Sequence, residues 1–491
     1  MKFLTVWLCL MALIGPGVSE ESQYFGIQVI DENGRGVPLV ELTTVNEIVG
    51  VTDNAGWMAF DEPGMMGRDV CWTVSGPGVE RSKDGFGYAS FRAIAEAGKT
   101  VKLEVKTSNV ATRVGRLTGT GLYRDSELLG LDHPPLETGA VRVSGQDSVQ
   151  AVLYQKQIFW LWGDTSTIEY PLGNFHTTCA WSPREIDAER GIIFDYLTDS
   201  SDPKKLRKML PSNEPGAMWM FGLMGLTDAD GNERMFSGFS RQQGLVPADE
   251  KGVAEFDRKK GVFRKISDVS KDEKWRYPHG HAVRAKTRDG DHFYFTSPFA
   301  SVRVRADVSA IADPQQYEML WFDQDHETWK WQREHGVTDQ RKEAELLRNA
   351  RMKPEQARYQ LRDASSGKLI ILHGASIQWN EWRKKFIMIA VQSGEKDDPS
   401  ALGEVWYAES DAPDGPWLRA VKVASHPAYT FYNPVHHGFL NSEGGKVIFF
   451  EGTYTNQFSG NPRKTMRYDY NQLQYRLDLS DSRLRILHEM P

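Results

Sequence analysis

Cysteine is scarce: 491 residues carry three, and Cys9 lies in an apolar run at the extreme N-terminus. A disulfide framework is therefore excluded, and Cys71 and Cys179 remain as two buried thiols or as one bridge. Long basic runs are also missing. Lys and Arg number 59 against 66 Asp and Glu, for a net charge of −7. Nothing in this balance supplies the basic footprint that nucleic acid requires, so no nucleic-acid partner is expected. Beyond the N-terminus no apolar stretch approaches the roughly 20 residues of a membrane helix, so no membrane span is expected. Gly-x-Ser-x-Gly, His-Glu-x-x-His, a P-loop and a dinucleotide-binding glycine fingerprint are absent in productive context. What is abundant is aromatic: 15 Trp, 17 Tyr and 23 Phe offer more buriable surface than a disordered chain carries.

The N-terminus reads as a secretory signal over 1–19. Lys2 supplies the charged end, residues 3–14 the apolar centre, and Gly17-Val18-Ser19 the small-residue cleavage site. The expected location is secreted or periplasmic. Residues 24–106 read as a small β-sandwich of alternating strands with turns at Asp31-Glu32-Asn33-Gly34 and Asp53-Asn54-Ala55-Gly56, where Gly56 is free to take positive φ. Residues 107–139, with Gly, Asp and Pro-Pro, read as a connector.

From 140 to 491 the chain repeats loosely. Five segments open alike at Val149, Gly216, His279, Leu372 and Asn433, at intervals of 67, 63, 93 and 61 residues. Each opening strand, the first taken as 149–162, is followed by a second ending in apolar and aromatic residues, such as Phe293-Tyr294-Phe295 and Val447-Ile448-Phe449-Phe450. The long interval holds a charged, helix-periodic insertion at about 338–362. Four-stranded repeats of this size predict an all-β chain: a five-bladed β-propeller preceded by a small β-sandwich, with one helical insertion. A large irregular β-sandwich is the alternative.

Three resemblances carry this further. Gly36-Val37-Pro38 and Thr52-Asp53-Asn54-Ala55-Gly56 resemble the carboxypeptidase-regulatory-like (transthyretin-like) domains, which implies an accessory module without catalytic residues. The repeat is similar to the five-bladed propeller glycosidases and glycan phosphorylases of the arabinanase/xylosidase type. The similarity lies in Tyr407-Ala408-Glu409-Ser410, Gly415-Pro416-Trp417 and Asn433-Pro434. Trp162-Gly163-Asp164-Thr165 and 450–455 also resemble a group of uncharacterised exported bacterial propellers. In the glycosidases an Asp opens the first inner strand, a second Asp stands in the next blade and a Glu in the third. Here the opening strands carry His279, His281, His373, His436 and His437 instead, so the triad does not transfer residue by residue.

Side chains at the ends of inner strands converge on a propeller's funnel, so scattered residues become candidates. Asp164 and Glu451 each follow an apolar strand directly, and are the expected carboxylate pair for glycoside hydrolysis. Trp162, Trp379 and Tyr454 are candidate platforms for a sugar's C–H face. His279, His281, His436 and Asn433 would hydrogen-bond hydroxyls, and Arg284 would grip a uronate or sulfate. The expected function is an exported carbohydrate-active protein, a glycoside hydrolase with carbohydrate as its partner and no cofactor. The alternatives are a non-catalytic glycan-binding propeller, and a lyase or hydrolase using a divalent metal on His279, His281 and His436.

Overall fold

The computed structural model describes residues 22–134, 143–169, 176–242, 250–394, 401–465 and 469–489. The expected signal segment and Cys9 lie outside the described residues. Secondary structure is mostly β, and no described helix is long and apolar enough to cross a membrane. The chain divides into two compact units. The first comprises the described residues up to 76 together with 81–106 and 123–133; the second is 77–80, 107–122 and everything from 134 onward. Cys71 and Cys179 are free thiols.

In the first unit, strand Phe25–Ile30 lies between Trp57–Phe60 and, in parallel, Thr100–Glu104. A second sheet orders Val49–Val51, Glu41–Thr44, Asp69–Ser75 and Ser90–Ile94. Their alternating burial follows from one apolar and one polar face per strand. Fully buried Trp72 joins the two sheets, contacting Phe25 and Phe60 of one and Phe91 of the other. Gly56 takes φ +76°; a side chain there would stand 2.5 Å from the Val29 carbonyl oxygen. Residues 107–139, read from the sequence as a connector, hold more structure than that. Helix Arg124–Leu128 belongs to this unit, tied by Asp53, whose carboxylate accepts from the backbone N–H and hydroxyl of Ser126 at 2.7 and 2.8 Å.

Among its described residues the second unit holds five sheets of four or five strands in chain order, and a short pair, Val143–Gln146 with Thr165–Thr167. The first runs Gln150–Tyr154, Gln157–Trp162, Thr178–Pro183, Asp195–Tyr196; the second Ala217–Thr227, Glu233–Gln242, Glu250–Asp257, Val262–Val269. The third has five strands, His281–Thr287, Gly290–Thr296, Ala300–Arg305, Glu318–Asp323 and Thr328–Gln332. The fourth runs Leu372–Asn380, Lys385–Gln392, Val405–Ser410, Arg419–Ala424, with Arg362–Asp363 added in parallel. The fifth takes Thr430–His436, Val447–Thr455 and Asn471–Asp478, then borrows Thr112–Arg116 from before the first sheet.

Second strands are buried on both faces, as in Gln157–Trp162 and Val447–Thr455, because a sheet stands on either side. Phe159 and Leu161 pack with Met218 and Phe239, Phe236 with Phe293 and Phe295, Tyr294 with Ile377 and Met388. Val435 and Phe449 pack with Trp160 and Trp162, bringing the fifth sheet against the first. The stretch 149–162 is not one opening strand but a hairpin, with Tyr154 paired to Gln157. Its two-residue turn, Gln155 and Lys156, has φ of +49° and +66°, a geometry usually signalled by Asn or Gly and here unmarked. Helix Gln340–Arg348 falls within 338–362, capped by Asp339, and the fifth strand of the third sheet adds to the same long interval.

Hydrogen bonds, most of them from polar side chains, link neighbouring sheets. Gln150 accepts from Leu223 N–H at 2.8 Å and donates to the Gly280 carbonyl at 3.2 Å. Gly222 N–H also donates to Gly280 at 2.8 Å. Thr296 Oγ1 donates to the Ala375 carbonyl at 2.9 Å, Ser376 Oγ accepts from His436 N–H at 2.8 Å, and Asn433 Nδ2 donates to Ser148 Oγ at 2.7 Å. Ser376 is fully buried. Its replacement by Ala leaves the His436 N–H without an acceptor, and should cost about 1–3 kcal/mol in urea unfolding.

Candidate active site

A cavity of about 520 Å³ opens where these strands begin, with walls from all five sheets of the second unit. Gln150 comes from the first, and Asp147 and Asp164 from the ends of the short pair Val143–Gln146 and Thr165–Thr167 beside it; Trp219 and Phe221 come from the second, and His281 and Thr296 from the third. Tyr277 and His279 precede that sheet; His373 comes from the fourth and Asn433 from the fifth.

Two aspartates form its acidic wall. Asp147 Oδ1 accepts the Asp164 backbone N–H at 2.8 Å, while Asp147 N–H donates to the Asp164 carbonyl at 3.2 Å. This approach needs a glycine between them and the apolar strand: a side chain at Gly163 would stand 2.3 Å from Asp147 Oδ1. The environments differ. Asp147 accepts from the Tyr432 hydroxyl at 2.9 Å and from the Tyr470 hydroxyl, and these donors oppose the upward push of burial. Among the described residues, the Asp164 carboxylate accepts from the Trp219 indole N–H at 3.2 Å. Burial, then the charge of Asp147, push Asp164 up to about 7. Burial raises both acids, and of the two Asp164 has the added charge of its neighbour and the fewer donors to its ionised form.

The facing wall carries imidazoles, each held neutral at pH 7. Burial lowers His279 and His373, and lowers His281 to about 3 with the help of His437. His279 Nδ1 lies 2.9 Å from the Tyr277 carbonyl, so Nδ1 carries the proton and Nε2 the lone pair. Among the described lining residues there is no Lys or Arg. Among the described residues, no group of three or more His, Cys, Asp or Glu is arranged to hold a metal ion.

Of the candidates read from the sequence, Asp164, His279, His281 and Asn433 line the cavity; six others do not. Glu451 was expected just past a strand end, but that strand continues to Thr455, leaving Glu451 2% exposed and bonded to His437 Nε2 at 3.0 Å. Trp162 and Tyr454 also lie on second strands and are fully buried, Trp162 against Phe194 and Tyr454 against Tyr429. His436 is buried against Asn441, 2.7 Å from its side-chain oxygen. Arg284 is committed to a bidentate pair with Asp291 across its hairpin, at 2.8 and 3.1 Å. Trp379 sits near the far end of its strand, donating to Glu381. Asp147, Phe221, Tyr277 and His373 are lining residues that the sequence reading did not name as candidates.

No family model matches the sequence, and no curated protein matches it. Several solved structures are similar at low identity. A Bacillus subtilis arabinanase shares 10% identity over 67% of this chain and 93% of its own, with a TM-score of 0.33. An endo-1,5-alpha-L-arabinanase from Thermotoga petrophila RKU-1 shares 11% over 69% and 73%, at 0.34. An N-acetylgalactosamine deacetylase from F. plautii, in complex with blood group B trisaccharide, shares 9% over 77% and 98%, at 0.36.

The raised Asp164 pKa fixes a sign. Its folded value, about 7, stands above the ordinary 3.8, so its contribution to stability is full below 3.8 and is lost as pH rises toward 7. Asp164→Asn should flatten that decline in urea unfolding measured across the interval. Carboxyl NMR titration should find Asp164 near 7, falling toward the ordinary range in Asp147→Asn.

Proposed function

We propose that this chain is an exported glycoside hydrolase, its second unit a five-bladed β-propeller with the cavity as active site, its first unit a transthyretin-like accessory sandwich. The observation that carries the reading is the aspartate pair in an aromatic- and imidazole-lined cavity, with Asp164 pushed up by burial and by the charge of Asp147. Two carboxyl groups with separated pKa values are what glycosidic cleavage uses.

In this reading Asp164 is the general acid, passing its proton to the glycosidic oxygen as that bond breaks. Asp147, kept anionic by Tyr432 and Tyr470, stabilises the positive charge at the anomeric carbon and takes the proton of the water that attacks it. Trp219, Phe221 and Tyr277 offer apolar faces to the sugar ring. His279, His281, His373 and Asn433 meet its hydroxyls. Two aspartates and the lack of a cation on the described walls favour an uncharged sugar over a uronate or sulfate ester, which would bring a like charge beside Asp147.

Screening the purified protein against plant, algal and bacterial polysaccharides tests the reading. On an accepted glycan, Asp164→Asn and Asp147→Asn should each lower kcat by about 10²–10⁴-fold. The wild-type rate should fall above about pH 7 as Asp164 loses its proton. Glycans bound without cleavage would select the binding-only propeller. Full activity in both variants would remove the mechanism.

A further inference from the structure

We propose that Phe458 is the platform of an outer sugar subsite beside the aspartate pair, an inference that rests on the carbohydrate reading of the cavity. Phe458 is 68% exposed, the most exposed large apolar side chain among the described residues of the second unit. It lies in the connection between Val447–Thr455 and Asn471–Asp478. Its backbone takes φ +64°, a region that bulky residues rarely occupy.

The surrounding segment bonds to itself. Asn456 Nδ2 donates to the Asn461 carbonyl at 2.8 Å, Ser459 Oγ donates to the Asn456 carbonyl at 2.6 Å, and Asn456 N–H donates to Asp469 Oδ1 at 2.8 Å. These bonds tie the backbone on either side of Phe458.

The ring is also joined to the site. It meets Tyr432 edge to face, with centroids 5.9 Å apart and planes at 80°. Tyr432 is the residue whose hydroxyl bonds Asp147. One short chain of contacts thus leads from Phe458 to the carboxylate of the cavity wall. A sugar ring stacks its C–H face on an exposed aromatic plane. The occupant is therefore the next ring of the glycan whose cleaved bond lies at Asp147 and Asp164. Recognition then extends beyond the cavity, and affinity should grow with chain length.

Isothermal titration separates this proposal from the reading beneath it. The full-length chain carrying Asp164→Asn, to prevent turnover, is titrated with xylo-, arabino-, gluco- and galacto-oligosaccharides from disaccharide to hexasaccharide. Phe458→Ala and Phe458→Trp are added on the same background. Affinity should rise with length in the parent; Phe458→Ala should lose that rise, about tenfold at the longest, with disaccharide affinity unchanged. Phe458→Trp should keep it. A parent whose affinity does not grow with length, or a Phe458→Ala that matches it throughout or weakens every length equally, overturns the subsite and leaves the carbohydrate reading standing. Failure of every oligosaccharide to bind the parent overturns both.

Discussion

Hydrogen bonds from polar side chains link five separate sheets, each to a neighbour. Gln150, Thr296, Ser376 and Asn433 supply them, and the last returns to Ser148, ahead of the first sheet. Apolar packing between sheets is larger in area, yet it is non-directional and tolerates sliding. A buried amide or hydroxyl bonded to a neighbour's backbone tolerates little, because a slipped register strands the donor or acceptor away from water. The walls of the cavity inherit their positions from these bonds.

The acidic wall stands at the junction where the series returns to its start. Asn433 meets Ser148 there, and its chain neighbours Tyr432 and Asp147 meet beside them. The junction that completes the series thus also fixes the carboxylate and supplies donors to its charged form. Asp164 is aligned by its own backbone N–H, bonded to Asp147. Its electrostatics follow from that nearness: a second acid so close to the first cannot share its ionisation.

The apolar strands were legible, and so was their spacing. Openings read at Val149, Gly216, His279, Leu372 and Asn433 lie within three residues of strands that begin at Gln150, Ala217, His281, Leu372 and Thr430. What misled was strand length and turn type. The Gln155-Lys156 turn has no Asn or Gly to announce it, and Glu451 follows aromatic residues in a strand that had not ended. An Asp ahead of a strand and a Glu within one look alike in a sequence; only pairing with Val435 and Gln474 shows which is interior.

The linear chain by itself determined the β character of this protein, the repeat of apolar strands, and an acid at Gly163-Asp164. These follow from alternation and from the small residue that a close backbone approach demands. Tertiary structure alone decided that the partner of Asp164 is Asp147, that Arg284 is spent on Asp291, and that Tyr432 and Tyr470 guard a charge. Such choices depend on which side chains meet across sheets, and contacts between residues nearly 300 positions apart leave no periodic mark on the sequence that makes them.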